Sequence, residues 1–348
     1  MTPQANAVAR SAGEPPPHMR VLAIAMGYWQ SRALAVATEL RVAEILAAGP
    51  LAIEEIAARS ATHSDRLYRL LRALASIDIF AEVAPRVFAN TDTSECLREG
   101  VAGSQSAWIR SQLSPGNGIY EPWSELETTI RTGENGARRA YGLAFWEFLG
   151  GHAQASRLFN ESMLQVTQSM TPAVTAAYDW STASTIVDVG GGLGTQVVAI
   201  LDASPATTGI LFDREHVLAG ALAHPRLTRC SGDFFEALPA AADLYLIRSC
   251  LHDWSDDDAL RLLRAVRTAS RPDSRLLLAE FVVPPGPEPS LGKWSDLMMM
   301  TLFEGARERS EAEFGELLER AGFSLLDSIA TESPLTVMVA APALAQSS

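Results

Sequence analysis

A chain of 348 residues, 47% hydrophobic and 20% charged, has the composition of a globular protein with room for two domains and a large core. Its net charge of −13 argues against a nucleic-acid partner, because phosphate binding needs a basic face. No apolar run reaches the roughly 20 residues of a membrane span, so no membrane partner is expected. Three cysteines (Cys96, Cys230, Cys250) permit neither complete pairing nor a metal quartet, and suit reduced thiols in a cytoplasmic protein.

Residues 1–17, with Pro15-Pro-Pro17 and no apolar h-region, read as a loose tail and not a signal peptide. Residues 18–48 read as helical, with Leu22, Met26, Trp29, Leu34, Val36, Leu40, Ile45 and Leu46 spread over more than one face. Such a helix needs several partners, and a second copy of the chain would cover part of it, so a homodimer is expected. Two short helices, Leu51 to Arg59 and Ser64 to Leu74, lead into Ile79–Val83 and Arg86–Asn90, which suit a small β wing. Residues 18–100 therefore read as a helical, winged-helix-like dimerisation domain. Arg66, Arg69 and Arg72 share one helical face, as a DNA-recognition helix would require. Yet residues 1–110 carry 11 Arg against 11 Asp plus Glu, so this half has no basic field.

Residues 101–180 mix helices with polar loops at Pro115-Gly-Asn-Gly118 and Thr132-Gly-Glu-Asn-Gly136. Phe145, Trp146, Phe148, Phe159, Met163 and Met170 recur there near helical spacing, which serves either core packing or the roof of a substrate pocket. From residue 181 to 345 strands alternate with helices, which implies an α/β class built on a doubly wound, mostly parallel sheet. The candidate strands are 185–189, 208–213, 226–230, 243–248 and 275–282. The last two runs, Phe323–Ile329 and Leu335–Ala340, are joined by too short a turn for a parallel crossover and must form an antiparallel hairpin.

Thr185-Ile-Val-Asp-Val-Gly-Gly-Gly-Leu-Gly-Thr195 reads as strand, glycine turn, helix. Glycines are needed where backbone must approach a ligand closely or take φ > 0. A dinucleotide fingerprint starting at Gly190 requires glycine where Thr195 stands. Asp188, two residues before the turn, would repel a pyrophosphate and suits a cofactor bearing an ammonium group. Asp213 closes the next strand 25 residues after Asp188, where an acid can bind both ribose hydroxyls. Gly232-Asp-Phe-Phe235 follows the third strand. Leu251-His-Asp-Trp-Ser-Asp256 places His252 at the carboxyl edge of the sheet, just before a helix favoured by Asp256, Asp257 and Asp258.

With these motifs the chain resembles the class I S-adenosylmethionine-dependent small-molecule O-methyltransferases of plants and bacteria, from Trp29 to Ala340. Met26-Gly-Tyr-Trp-Gln-Ser-Arg32 and Phe212-Asp-Arg-Glu215 look most like the bacterial phenazine methyltransferases. The resemblance implies a Rossmann-like sheet of seven strands in the order 3-2-1-4-5-7-6, a dimerising N-terminal domain, and S-adenosyl-L-methionine as cofactor. It assigns Asp188, Gly190, Gly192, Asp213, Asp233, Phe234, Phe235 and Arg248 to the cofactor. His252 is implied as general base, with Glu280 and Glu308 as its acids; Glu308 stands in Gly305-Ala-Arg-Glu-Arg-Ser310, with Ser310 where the family has Thr. Trp146, Met163, Asp253 and Met299 are expected near a small aromatic acceptor, a hydroxyphenazine by the nearest likeness, and no metal is expected.

Rival readings are an aromatic polyketide O-methyltransferase, an N-methylating relative, and a relative that binds the cofactor but decarboxylates or hydroxylates. An imidazole near 6.5 facing a phenol near 10 would transfer a proton uphill by about 4.8 kcal/mol, so deprotonation coupled to attack is expected.

Overall fold

The structure, a computed structural model, describes residues 15–343. The first fourteen residues of the expected tail, and residues 344 and 345 of the expected catalytic domain, lie outside the described residues. The chain divides into two compact units that part between Ser114 and Pro115.

In the first unit a helix runs from Pro17 to Glu39, with proline at its first turn, where a missing N–H costs nothing. The helical run expected to reach residue 48 breaks at Arg41, which adopts φ 54°, before a single turn at Val42–Ile45. Leu51–Ala52, expected as the start of a helix, forms a short strand (β1), and the helix begins at Ile53. Helix Ser64–Ala75 then leads to β2 (Phe80–Ala84) and β3 (Val87–Asn90), giving an antiparallel sheet in the order β1-β3-β2. Val42, Ile53, Ile56, Leu71 and Phe88 form its core. The long first helix buries only Ala35, Ala37 and Thr38, while Val21, Ile24 and Trp29 stay 65% exposed or more. Helix Ser106–Leu113 packs against it, so residues 101–114 join this unit and the rest of the expected middle segment joins the second.

The second unit holds seven strands: β4 (Thr185–Val189), β5 (Thr208–Asp213), β6 (Leu227–Ser231), β7 (Leu244–Arg248), β8 (Arg275–Phe281), β9 (Phe323–Ala330) and β10 (Leu335–Pro342). They lie in the order β6-β5-β4-β7-β8-β10-β9, parallel from β6 to β8. β10 pairs antiparallel with both β8 and β9, with Thr336 opposite Glu280. Expected and observed strands agree within two residues; in β4, β7, β8 and β10 the β-branched and leucine-rich runs buried on both faces leave little choice of element, whereas the edge strands β6 and β9 are largely exposed. The parallel strands deliver Val189, Asp213, Arg248 and Glu280 to one edge, the side where open α/β sheets bind ligands.

Candidate active site

The turn after β4 is held open by its glycines. Gly190, Gly192 and Gly194 adopt φ 68°, 60° and 83°, the left-handed region that side chains disfavour. Gly191 faces a different constraint, since a Cβ there would lie 2.4 Å from Asp188 Oδ2. The Asp188 carboxyl is thus packed beneath the turn; it is 1% exposed and Oδ2 has no hydrogen-bond partner. Burial pushes its pKa up to about 7, against the pull of Arg248. Asp213, at the end of β5, accepts the Gly192 N–H on Oδ2 at 2.8 Å and so ties the second strand to the turn. Asp233 accepts the Phe235 N–H at 2.9 Å and an Arg214 N–H at 2.9 Å. Phe234 and Phe235 meet edge to face and both pack on Trp254, with Phe234 reaching toward Gly190.

Arg248 at the end of β7 donates to Thr171 Oγ1 and to the Thr167 carbonyl, each at 3.0 Å, which fastens the strand end to helix Ala153–Ala176. Burial lowers its pKa to about 10, with Asp188 and Glu280 opposing.

Just beyond β7 the chain turns sharply through Ser249, at φ 44°, and Cys250 into a short turn, Leu251–Asp253. This turn is clamped from several sides. Glu280 Oε1, on β8, accepts the N–H groups of Cys250 and Leu251 at 3.0 and 2.8 Å. The wholly buried Arg309 donates to the Leu251 and Trp254 carbonyls while paired with Asp256. The Arg307 N–H donates to the His252 carbonyl at 3.0 Å.

The imidazole held there is 11% exposed, with Nδ1 3.0 Å from Glu308 Oε1 and 3.7 Å from Glu280 Oε2. An ionised carboxylate only accepts, so Nδ1 carries the proton and Nε2 is the nitrogen left for a reacting group. Nε2 lies 3.6 Å from Asp253 Oδ1. Burial pushes the ring toward neutrality, but Glu280, Asp253 and Glu308 together outweigh it and raise the pKa to about 10. Glu280 is raised to about 7 and Asp253 to about 6, chiefly by burial.

A cavity of about 170 Å³ lies beside the turn, lined by Phe145, Trp146, Asp253, Trp254 and Phe303 among others. The Trp146 and Phe303 rings stand 5.1 Å apart at 31°. Of the four residues expected near an acceptor, Trp146 and Asp253 line this cavity, whereas Met163 and Met299 lie in the adjoining apolar cluster with Phe145, Phe159 and Phe303.

Residues 123–324 match the O-methyltransferase domain family and residues 22–100 the O-methyltransferase dimerisation domain family. The chain belongs to the O-methyltransferases. A phenazine O-methyltransferase of Lysobacter antibioticus, PhzM, is 37% identical over 95% of this chain and 98% of its own. The crystal structure of LaPhzM superposes with a TM-score of 0.87 at 36% identity, covering 94% of this chain and all of that one. The mitomycin biosynthesis 6-O-methyltransferase of Streptomyces lavendulae is 38% identical over 88% and 89% of the two chains. NcsB1 from neocarzinostatin biosynthesis, solved with S-adenosylmethionine and 2-hydroxy-5-methyl naphthoic acid, is 32% identical over 90% and 96%, with a TM-score of 0.75.

The cofactor of this methyltransferase is S-adenosylmethionine. The donor set fits it: a turn of left-handed glycines with open space above Gly192, a buried carboxyl with one oxygen unpartnered, and one acid at each of the next two strand ends. Around the candidate site stand further residues to which the sequence assigned no role. Arg309, Arg214, Thr171, Ser295 and Phe303 act through tertiary contacts 13 to 77 residues distant or on the cavity wall, and no local pattern marks them. Arg309 and Arg214 did have a signal, since they adjoin Glu308 and Asp213 in the motifs Gly305–Ser310 and Phe212–Glu215.

Proposed function

We propose that this methyltransferase methylates a hydroxyl of an aromatic secondary metabolite, a hydroxyphenazine by preference, with His252 as general base and Glu308 as the acid that orients it. The observation that carries the reading is the 3.0 Å contact of His252 Nδ1 with Glu308, which leaves Nε2 as the proton acceptor at the sheet edge. The phenazine class is supported by 37% identity to a phenazine O-methyltransferase, and by a cavity walled by Trp146 and Phe303.

S-adenosylmethionine, when bound, supplies a methyl group on a positively charged sulfur. Asp213 would take the ribose hydroxyls, and Gly190 and Gly192 would let the backbone approach. Asp233, Phe234 and Phe235 would flank the adenine, while Asp188 and Arg248 supply the charges nearest the amino-acid moiety. Trp146, Met163, Asp253 and Met299 would surround the acceptor ring. The carboxylates around His252 raise its pKa to about 10, so taking the hydroxyl proton costs less than the roughly 4.8 kcal/mol that an ordinary imidazole would face. The same charges keep the ring protonated at neutral pH, so the base form is the minority and turnover should climb with pH. Orienting the acceptor oxygen would supply much of the remaining acceleration, up to about 7–11 kcal/mol.

The first unit, matching a dimerisation domain and exposing Val21, Ile24 and Trp29, would form a homodimer. Incubation with S-adenosylmethionine and a panel of hydroxyphenazines, aromatic polyketide phenols and aromatic amines, followed by mass spectrometry, tests the substrate class. Exclusive methylation of polyketide phenols, or of amines, would move the acceptor to that class.

A further inference from the structure

Glu308 lies in the segment between helix Leu291–Leu302 and helix Glu311–Ala321, where the backbone bridge of its neighbour Arg309 to Val282 fixes the chain but not the Glu308 carboxylate. Two consecutive residues of the preceding helix hold the residue, one by its backbone and one by its carboxylate. Asp296 Oδ1 accepts the Glu308 N–H at 2.9 Å, and the buried Ser295 hydroxyl donates to Glu308 Oε1 at 2.6 Å. That oxygen is the one that meets His252 Nδ1. Glu280 shows the same division of labour: one oxygen is tied down by backbone N–H groups and the other has no partner. For Glu308 the tie is a single side-chain hydroxyl. Ser295 makes no bond to its own helix carbonyls, the usual resort of a helical serine.

We infer that Ser295 is a positioning residue that tunes the His252–Glu308 pair, by fixing the orientation of Oε1 and drawing part of its charge away from the imidazole. The inference rests on the reading of His252 as the base. Without the hydroxyl, Oε1 belongs to His252 Nδ1 alone, the imidazolium is held more tightly, and the ring yields its proton less readily. The other charges facing the pair are Glu280 on β8, Asp253 beside Nε2 and Asp296 on the helix of Ser295, with Arg248 at the end of β7 set against Glu280 and Arg307 against Asp296. All of them survive replacement of Ser295, so the change isolates one hydrogen bond.

The test compares S295A, S295C and S295T with wild type and H252A, reading kcat against pH, the acceptor KM, and cofactor affinity by calorimetry. In S295A and S295C the acid limb of kcat should move up by roughly 0.5–1 pH unit, so turnover at pH 7 falls roughly three- to tenfold and recovers at high pH. S295T should restore the wild-type profile, and cofactor affinity and acceptor KM should not move. A limb that coincides with wild type in S295A and S295C, or a loss uniform across pH, would overturn the role of Ser295 while the base reading stands. Wild-type turnover in H252A would bring down the base reading and this inference with it.

Discussion

The glycine turn after β4 and the His252 turn after β7 close neighbouring parallel strands, yet they are held by opposite means. The first is shaped by the backbone: left-handed glycines, a forbidden Cβ at Gly191, and an Asp213 carboxylate bonded to a main-chain N–H. The second is shaped by side chains from distant segments, Glu280 from β8, Glu308 and Arg309 from the loop before the helix Glu311–Ala321, and Ser295 from another helix. A backbone site can be written as a short consecutive motif. A side-chain site cannot, because its parts become neighbours only after folding.

Breaking the side-chain half should have the largest effect. His252→Ala should lower turnover by roughly 10²- to 10⁴-fold, the usual worth of a positioned base, with cofactor affinity by calorimetry nearly unchanged. An acceptor with an unusually acidic hydroxyl should suffer less, and wild-type turnover of a neutral phenol would refute the assignment. The complementary break, Asp213→Ala, should weaken S-adenosylmethionine binding about 10- to 100-fold, the scale of one charged hydrogen bond, in a protein that still folds. Unchanged affinity would remove Asp213 from the site.

Smaller changes sharpen the contrast. Gly191→Ala should lower stability by about 1–3 kcal/mol, measured by denaturant melts, because the new Cβ must displace the Asp188 carboxyl. A neutral result would mean the turn is more yielding than its geometry implies. For pH, Glu280, Asp253 and Glu308 raise His252 from its ordinary 6.5 to about 10, so the protonated ring, which the proposed base role makes inactive, prevails at neutrality. The acid limb of kcat/KM should therefore lie above pH 6.5, with rate rising as pH rises. A limb at or below 6.5 would show that the carboxylates do not hold the ring charged. Least in effect on chemistry, Ile24→Glu with Trp29→Glu should shift a homodimer toward monomer in sedimentation; an unaltered dimer would place the interface elsewhere.

The central strands and the glycine turn were legible in the sequence because burial on both faces, and φ > 0, each restrict residue type locally. Helix ends were less so. Leu51–Ala52 looks like helix until Val87 and Phe88 pair with it, and the break at Arg41 carries no glycine to announce it. In the site, Glu308 is nearer the ring than Glu280, a 0.7 Å difference that depends on the loop conformation and not on any spacing in the chain. Ser295 and Phe303 look like ordinary helix and loop residues until the fold sets one against Glu308 and the other beside Trp146.

The hairpin at the end of the chain sets a rule for anyone cutting or extending this enzyme. Every residue assigned a reactive or binding role precedes Ser310, so the last strand looks dispensable. But β10 lies against β8 with Thr336 opposite Glu280, and β8 has no other neighbour on that side. Trimming Leu335–Pro342 would expose an open edge and let water reach a carboxylate now fully shielded. Fusions and tags belong beyond residue 343, and a truncation mapped only against the site residues would sacrifice the acid that steadies the His252 turn.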